Sequence, residues 1–97
     1  MVVGICTIVL ALAENHDLKG KRQVLRSVKD RVRNRFNVSI AEVDDLDLWQ
    51  RATLGVACVS KDRDVVERTL AHVASFVEGL RLADVEDISV EIIQGEP

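Results

Sequence analysis

Hydrophobic residues along this chain change their spacing in a regular order. From Val2 to Leu12 nearly every residue is apolar, which is typical of a strand that is buried on both faces. A helical spacing follows, and Asp17 can serve as the N-cap of that helix. The apolar residues that recur at this spacing are Val24, Leu25, Val28, Val32 and Phe36. The pattern therefore predicts a strand followed by one amphipathic helix.

Two further strands are predicted after this helix. Val38 and Ile40 open the second strand, and the polar stretch from Asp44 to Leu48 indicates a turn. The third strand runs from Gln50 to Ser60 and is rich in Val, Leu and Ala. The second and third strands therefore form a hairpin, with Trp49 expected as a hydrophobic lid at the strand end.

A second helix and a last strand complete the pattern. Ser60 or Asp62 can cap the helix, and Gly79 is expected to end it. The core face of this helix comprises Val66, Leu70, Val73 and Val77. In the last strand, the apolar residues Ile88, Val90 and Ile92 alternate with polar ones.

The order strand, helix, strand, strand, helix, strand predicts an α+β fold, the ferredoxin-like βαββαβ plait. Its four-stranded antiparallel sheet has the order 4-1-3-2, with both helices on one face. The chain has 97 residues, of which 47% are apolar, and this is enough for one core but not for two. We expect a single domain over residues 1–93 and a loose tail over residues 94–97.

The two central strands are expected to be apolar on both faces. Their even positions are bulkier, as at Ile8 and Leu54, and should pack under the helices. The odd positions then form an open face that includes Val3, Ile5, Val9 and Val59. Such an apolar surface predicts a homo-oligomer that associates through the open sheet face.

The cysteines and the apolar N-terminal run indicate the cellular compartment of the protein. Cys6 and Cys58 show no CxxC or CxxH spacing, which indicates buried reduced thiols; a disulfide or metal site is the minor alternative. The uncharged run from Met1 to Ala13 lacks a positive n-region and is too short to span a bilayer. We therefore expect a cytoplasmic protein without a membrane anchor.

Charge is distributed very unevenly along the chain. The segment from Leu18 to Arg35 holds eight of the thirteen basic residues and one of the sixteen acids, Asp30. The net charge of the whole chain is −3, so any contact with nucleic acid has to use this local basic surface.

Two overlapping groups can be recognised among the basic residues of the first helix. At 100° per residue, four of them fall on one side of the helix, about a quarter turn from the apolar face. We call this group, Arg22, Arg26, Lys29 and Arg33, the basic stripe, and we predict that it binds nucleic acid. Lys19, Lys21 and Arg22 surround the free N–H groups of the first turn and predict an anion-binding site.

Two other interpretations of the basic segment stay open. The acids Asp44, Asp45 and Asp47 of the hairpin turn could neutralise the first turn of the helix, while Asp62 and Asp64 could pair with Arg33 and Arg35. The helix would then be an ordinary solvated surface. Alternatively, an acidic protein could be its partner.

Long stretches of the chain resemble the YlxP-like family of bacterial proteins. The resemblance begins at Met1-Val2-Val3-Gly4 and is carried by the run from Leu18 to Val43 and by Asp47-Leu48-Trp49-Gln50-Arg51-Ala52. It implies a ferredoxin-like fold. Because this family is often encoded beside transcription-elongation and translation-initiation factors, it also implies ribosomal RNA or the ribosome as a partner. The resemblance implies no activity, catalytic residue or cofactor.

Catalytic and metal-binding patterns are weak in this sequence. Acylphosphatases share the plait, but residues 13–22 lack the glycine-rich phosphate loop that they need. His16 has no nucleophile at a recognisable spacing, and Asp44, Asp45 and Asp47 do not follow a calcium-loop pattern. We predict no catalytic residue, no metal and no cofactor.

The predicted function is that of a non-catalytic module associated with RNA or the ribosome through the basic face of the first helix. The open sheet cannot stack bases, because the three aromatic residues Phe36, Trp49 and Phe76 lie outside its central positions. The alternative is a homo-oligomeric regulatory or protein-interaction domain that senses a small ligand at a subunit interface.

Overall fold

The structure is a computed structural model that describes residues 1–95. Its elements follow the predicted order, with both helices longer than four turns. The bounds are β1 Val2–Ala11, α1 Leu18–Arg35, β2 Ser39–Asp44, β3 Arg51–Ser60, α2 Arg63–Leu80 and β4 Asp84–Gln94.

One four-stranded antiparallel sheet has the order β2-β3-β1-β4. The predicted order 4-1-3-2 is the same arrangement read from the other edge, so the predicted ferredoxin-like plait is confirmed. The two helices pack against each other and cover one face of the sheet, with α2 against β1, β3 and β4 and α1 against β2. The other face is open.

The core confirms the alternation that the sequence predicts for the central strands. Even positions of β1 and β3 are buried under the helices, as Ile8 and Leu54 show with no exposed surface. The helices contribute the apolar faces expected of them, since Val28 and Val32 of α1 and Val66 of α2 are almost completely buried. Removal of this apolar surface from water is the main favourable term in folding.

Gly4 allows α2 to lie close to β1. A Cβ atom at this position would overlap Val66 Cγ1 and come within 2.7 Å of Leu70 Cδ1. Both distances are shorter than van der Waals contact, so the absence of a side chain at Gly4 determines how closely the helix packs on the sheet.

The helix ends agree with the sequence for α1 and differ for α2. Asp17 caps α1 as predicted, and its Oδ1 accepts a hydrogen bond of 2.7 Å from the Gly20 N–H. The prediction that Gly79 ends α2 is wrong, because the helix continues to Leu80. Arg81 takes the left-handed conformation there, with φ of 55°. The next strand starts close by, so Arg81 has to make the turn.

The last strand is longer than the alternating pattern indicated. It begins at Asp84 and extends to Gln94, and the Gly95 N–H donates a 2.8 Å hydrogen bond to the carbonyl oxygen of Met1. Residues 94 and 95 are therefore not part of a loose tail. Residues 96 and 97, the rest of that predicted tail, lie outside the described residues.

Both cysteines are buried and neither forms a disulfide, as the sequence predicted. Burial raises the pKa of the Cys6 thiol above its ordinary value, and the neighbouring Cys58 adds to the increase. Burial also raises the pKa of the Cys58 thiol. Both groups therefore hold their protons more firmly than exposed thiols do.

Candidate nucleic-acid interface

Two contacts fix the orientation of α1 on the sheet. Arg33 Nη2 donates a 2.9 Å hydrogen bond to the carbonyl oxygen of Ile40, so this side of the helix faces the edge strand β2. The guanidinium of Arg35 lies 5.2 Å from the centre of the Phe76 ring, so the opposite side faces α2. The basic stripe therefore runs along the outer edge of the domain, beside β2.

The residues of the basic stripe are accessible to solvent. Arg22, Arg26 and Arg33 are exposed, and Lys29 is half-buried. The helix rises about 1.5 Å per residue, so the stripe is about 16 Å long. Four basic side chains thus occupy one continuous edge.

Within residues 1–95, acids neutralise little of this surface. Of the eight basic residues in α1, only Lys21 and Arg33 have a carboxylate of the described residues within 4 Å. Arg33 lies 3.7 Å from Asp30 of the same helix, and both side chains are half exposed, so this pair is weak. The other six, Lys19, Arg22, Arg26, Lys29, Arg31 and Arg35, have no ion pair in the described part of the chain.

The pairing of the C-terminal end of α1 with the start of α2 is not found. Asp62 and Asp64 form no ion pair with Arg33 or Arg35 within the described residues. Arg35 packs on an aromatic ring of α2 instead, where its charge can interact favourably with the face of the ring.

The predicted anion site is wrong at Lys21. The side chain is 1% exposed, and its ammonium group points into the hairpin loop rather than into solvent. Nζ donates hydrogen bonds of 2.7 Å to the carbonyl oxygens of Asp45 and Leu48, and the Leu46 carbonyl lies at 3.5 Å. Three backbone carbonyl groups therefore already surround the ammonium group that an incoming anion would need to contact.

Glu42 completes this arrangement around Lys21. Its Oε2 lies 2.8 Å from Nζ and is buried without a well-formed hydrogen bond, so the contact is an ion pair. Among the described residues, none of the loop acids expected to neutralise the first turn pairs its carboxylate there: Asp45 contributes only its carbonyl oxygen, and its carboxylate faces Arg51. Lys19 and Arg22, the other two residues of the predicted anion site, stay exposed.

Sequence reasoning missed the role of Lys21, although a signal was present. Lys21 precedes Leu25, Val28 and Val32 by four, seven and eleven residues, which places it on the apolar face of α1. A lysine on such a face must bury its ammonium group with a partner. The basic residues on either side of it obscured this pattern.

The hairpin loop that Lys21 holds is apolar on its outside. Trp49, expected to be a lid over the strand end, is 55% exposed, and Leu46 and Leu48 are 59% and 47% exposed. Its backbone is tied down, since Asn15 Nδ2 donates a 2.6 Å hydrogen bond to the Trp49 carbonyl. The loop therefore has a fixed conformation and an apolar surface.

The open sheet face has a different chemical character from α1. Its central positions Val3, Ile5 and Val9 are half-buried, and Asp87 and Glu91 of β4 lie beside Val9 and Ile5 in register. Phe36 and Phe76 pack edge to face at 5.5 Å on the helix side. The open face therefore presents apolar and acidic side chains, and no aromatic ring from its central strands.

Other chemistry is sparse in the described part of the chain. Residues 1–95 contain no group of three or more His, Cys, Asp or Glu side chains placed to hold a metal ion. His16 and His72 are exposed and lie on different elements, in the loop before α1 and in α2. No helix within these residues is both long and apolar enough to cross a membrane.

Solved structures that resemble this chain share its fold. The designed protein Foldit4 covers 99% of the chain with a TM-score of 0.55 at 10% identity. An antibiotic biosynthesis monooxygenase covers 100% with a TM-score of 0.54 at 12% identity. At such low identity the likeness shows the fold alone, and one of these relatives is a design.

Sequence comparisons carry the assignment to a family. The uncharacterized protein YlxP of Bacillus subtilis (strain 168) is 46% identical over 61 residues, which cover 63% of this chain and 66% of that protein. A family described as protein of unknown function, DUF503, matches residues 3–90. The resemblance to YlxP-like proteins is confirmed, and the chain belongs to the DUF503 family.

Proposed function

We propose that this protein is a non-catalytic RNA-binding module that contacts RNA through the basic stripe of α1. The observation that supports the proposal is that most basic residues of α1 lack an ion-pair partner in the described part of the chain. Six of the eight in α1 have no ion pair within residues 1–95. Cations that a protein does not neutralise internally attract polyanions, and a phosphate backbone releases its counterions when it binds them.

The position of the stripe favours a phosphate backbone over a compact anion. The stripe is about 16 Å long at 1.5 Å per residue and lies on the domain edge, so an extended ligand can reach every residue in it. On the helix side of β2, Ile40 is buried and Glu42 is turned to Lys21, so neither covers the exposed residues Arg22 and Arg26. Lys19 extends the positive surface toward the N-terminus of the helix.

The contacts should be electrostatic and of modest strength. Each phosphate contact on a single strand adds about −0.7 to the slope of log Kobs against log salt, so four contacts give a slope of about −3. The open sheet offers no aromatic platform that would add stacking energy. Specificity would therefore come from a structured partner, for which we propose ribosomal RNA or the ribosome. The protein would act in the cytoplasm, where its two thiols stay reduced.

Co-sedimentation with ribosomal subunits tests this function. The full chain should sediment with a subunit at low salt and be released as the salt concentration rises. The variant R22Q/R26Q/K29Q should lose this association. The matched control K61Q/R63Q/R68Q removes the same charge near the start of α2 and should keep it. Equal loss in both variants would show a response to net charge alone and would refute the proposal.

A second candidate function is that of a homo-oligomeric regulatory or protein-interaction domain. The specific observation in its favour is the apolar character of the open sheet face, where Val59 is 64% and Ile93 is 45% exposed. If a small ligand bound at the subunit interface, a metabolite should raise the thermal stability of the protein, with a gain that grows as the logarithm of its concentration above the dissociation constant. Stability unaffected by a metabolite panel would remove the sensing role.

A further inference from the structure

Three of the exposed large apolar side chains of this protein share the open sheet face. Val43, Val59 and Ile93 lie on the open sheet face with 56%, 64% and 45% of their surface exposed. Val43 leans over the central strand, because a Cβ atom at Gly55 would lie 2.8 Å from Val43 Cγ1. Between these residues, Val3 and Ile5 of β1 are half-buried. The face is therefore mainly apolar across its centre, with the acids Asp87 and Glu91 along β4.

The hairpin loop extends this surface at one end of the sheet. Leu48 and Trp49 line a cavity of about 440 Å³ together with Arg51 of β3 and Glu86 of β4. Arg51 Nη1 lies 3.8 Å from Glu86 Oε2, so charged residues border the apolar surface at this end. An apolar centre with a charged border is the usual composition of a protein interface.

Lys21 holds this part of the surface in place before any partner arrives. Its bonds to the Asp45 and Leu48 carbonyls fix the loop from inside the domain. Trp49 can then enter a contact with little loss of backbone freedom, and tryptophan is enriched among the residues that dominate binding energies. A partner would meet a preformed anchor.

We infer that the occupant of this surface is a second copy of the chain, packed open face to open face. Strands about 4.8 Å apart that rise about 3.3 Å per residue give a face of about 600 Å² per copy. Two such faces bury about 1,200 Å², the lower limit of a specific interface, and the loop adds to this area. The inference takes up the second candidate function and does not depend on RNA binding.

The acids on one edge of the face disfavour polyanionic partners. Asp87 and Glu91 on β4 repel phosphate, so neither RNA nor an anionic membrane is attracted to it. A second copy instead offers the same apolar centre, and its helices face outward. Each dimer then presents two basic stripes, one on each outer side.

The oligomeric state of the full chain, measured by sedimentation equilibrium at micromolar concentration, tests the inference. The expected mass is twice the 10.8 kDa of the chain. V59E should raise the dimer dissociation constant on the order of 100-fold, because two carboxylates per dimer would enter the apolar interface. I93E is a second variant at another exposed position of the same face and should act in the same direction.

V90E is the matched control. Val90 is also an exposed strand valine, 52% accessible, but it pairs with Cys6 and lies on the helix side of β4. V90E should therefore remain dimeric. A monomeric wild type would overturn the inference, and so would V59E and I93E that dimerise as the wild type does. The R22Q/R26Q/K29Q variant should stay dimeric, so failure of RNA binding and failure of dimerisation can be told apart.

Discussion

The ammonium group of Lys21 lies 2.7 Å from the carbonyl oxygen of Leu48, which joins the first turn of α1 to the loop between β2 and β3. The same group contacts the Asp45 carbonyl and the Glu42 carboxylate. A buried charge is tolerated only when partners replace the water that it has lost. Lys21 is therefore a structural residue, whereas the other basic residues of α1 lie on the protein surface.

Replacement of Lys21 by methionine should destabilise the protein strongly. K21M keeps the length of the side chain but leaves the Glu42 carboxylate buried without its counter-charge and the loop carbonyls without a donor. Loss of one member of a buried ion pair costs about 3–5 kcal/mol in the free energy of unfolding. Urea denaturation of both proteins measures the difference.

K19M is the control for this variant, because Lys19 is exposed and two residues away in the same turn. It should change the free energy of unfolding by less than about 0.5 kcal/mol. If K21M were as stable as K19M, the Lys21 contacts would not hold the loop.

Two glycines should respond in opposite ways to alanine. G4A forces a methyl group against Val66 and Leu70 and should lower the free energy of unfolding by about 1–3 kcal/mol. G79A should raise it by about 0.5–1 kcal/mol, because Gly79 is helical, has a negative φ and has no neighbour within 4 Å of an added Cβ. Thermal unfolding of the two variants checks both signs. A lower free energy of unfolding for G79A would contradict this prediction and support the role of Gly79 in ending the helix.

The free energy of unfolding should decrease as the pH rises above the ordinary pKa of a thiol. Burial raises the pKa of Cys6 and of Cys58 in the folded state, so the folded protein keeps protons that the unfolded chain releases. The contribution is complete below the unfolded pKa, about 8.5, and is lost as the pH rises toward the folded values.

The loss should reach at most about 1.4 kcal/mol per pH unit for each thiol. Urea denaturation between pH 7.5 and about 9.5 measures it. The chain has no tyrosine that would titrate nearby. A C6A/C58A variant should lose most of this pH dependence, and an unchanged slope would show that other groups cause it.

The type of each element and its buried face could be predicted, because the spacing of hydrophobic residues determines both directly. Val2 to Ala11 alternates between buried and half-buried positions, as the bulkier even residues indicated. The start of β4 was not predictable in the same way. Asp84, Glu86 and Asp87 carry charge because an edge strand leaves them in water, so the alternation fades there.

The candidate site was predictable only in part. Helix geometry placed Arg22 and Arg26 on one exposed side of α1, and the structure keeps them there. The same charge count could not distinguish Lys21 from these residues, because the difference depends on where the carbonyls of the distant hairpin loop point. Contacts between elements far apart in the chain were the information that the local pattern lacked.

The measurement that tests RNA binding by the basic stripe most directly is the salt dependence of affinity for a single-stranded RNA oligonucleotide, read by fluorescence anisotropy. The wild type should give a slope of log Kobs against log salt of about −3. R26Q should remove one contact and reduce the slope to about −2, whereas R68Q on α2 should leave it unchanged. A wild-type slope near zero, or equal slopes for R26Q and the wild type, would contradict the assignment of RNA binding to the basic stripe.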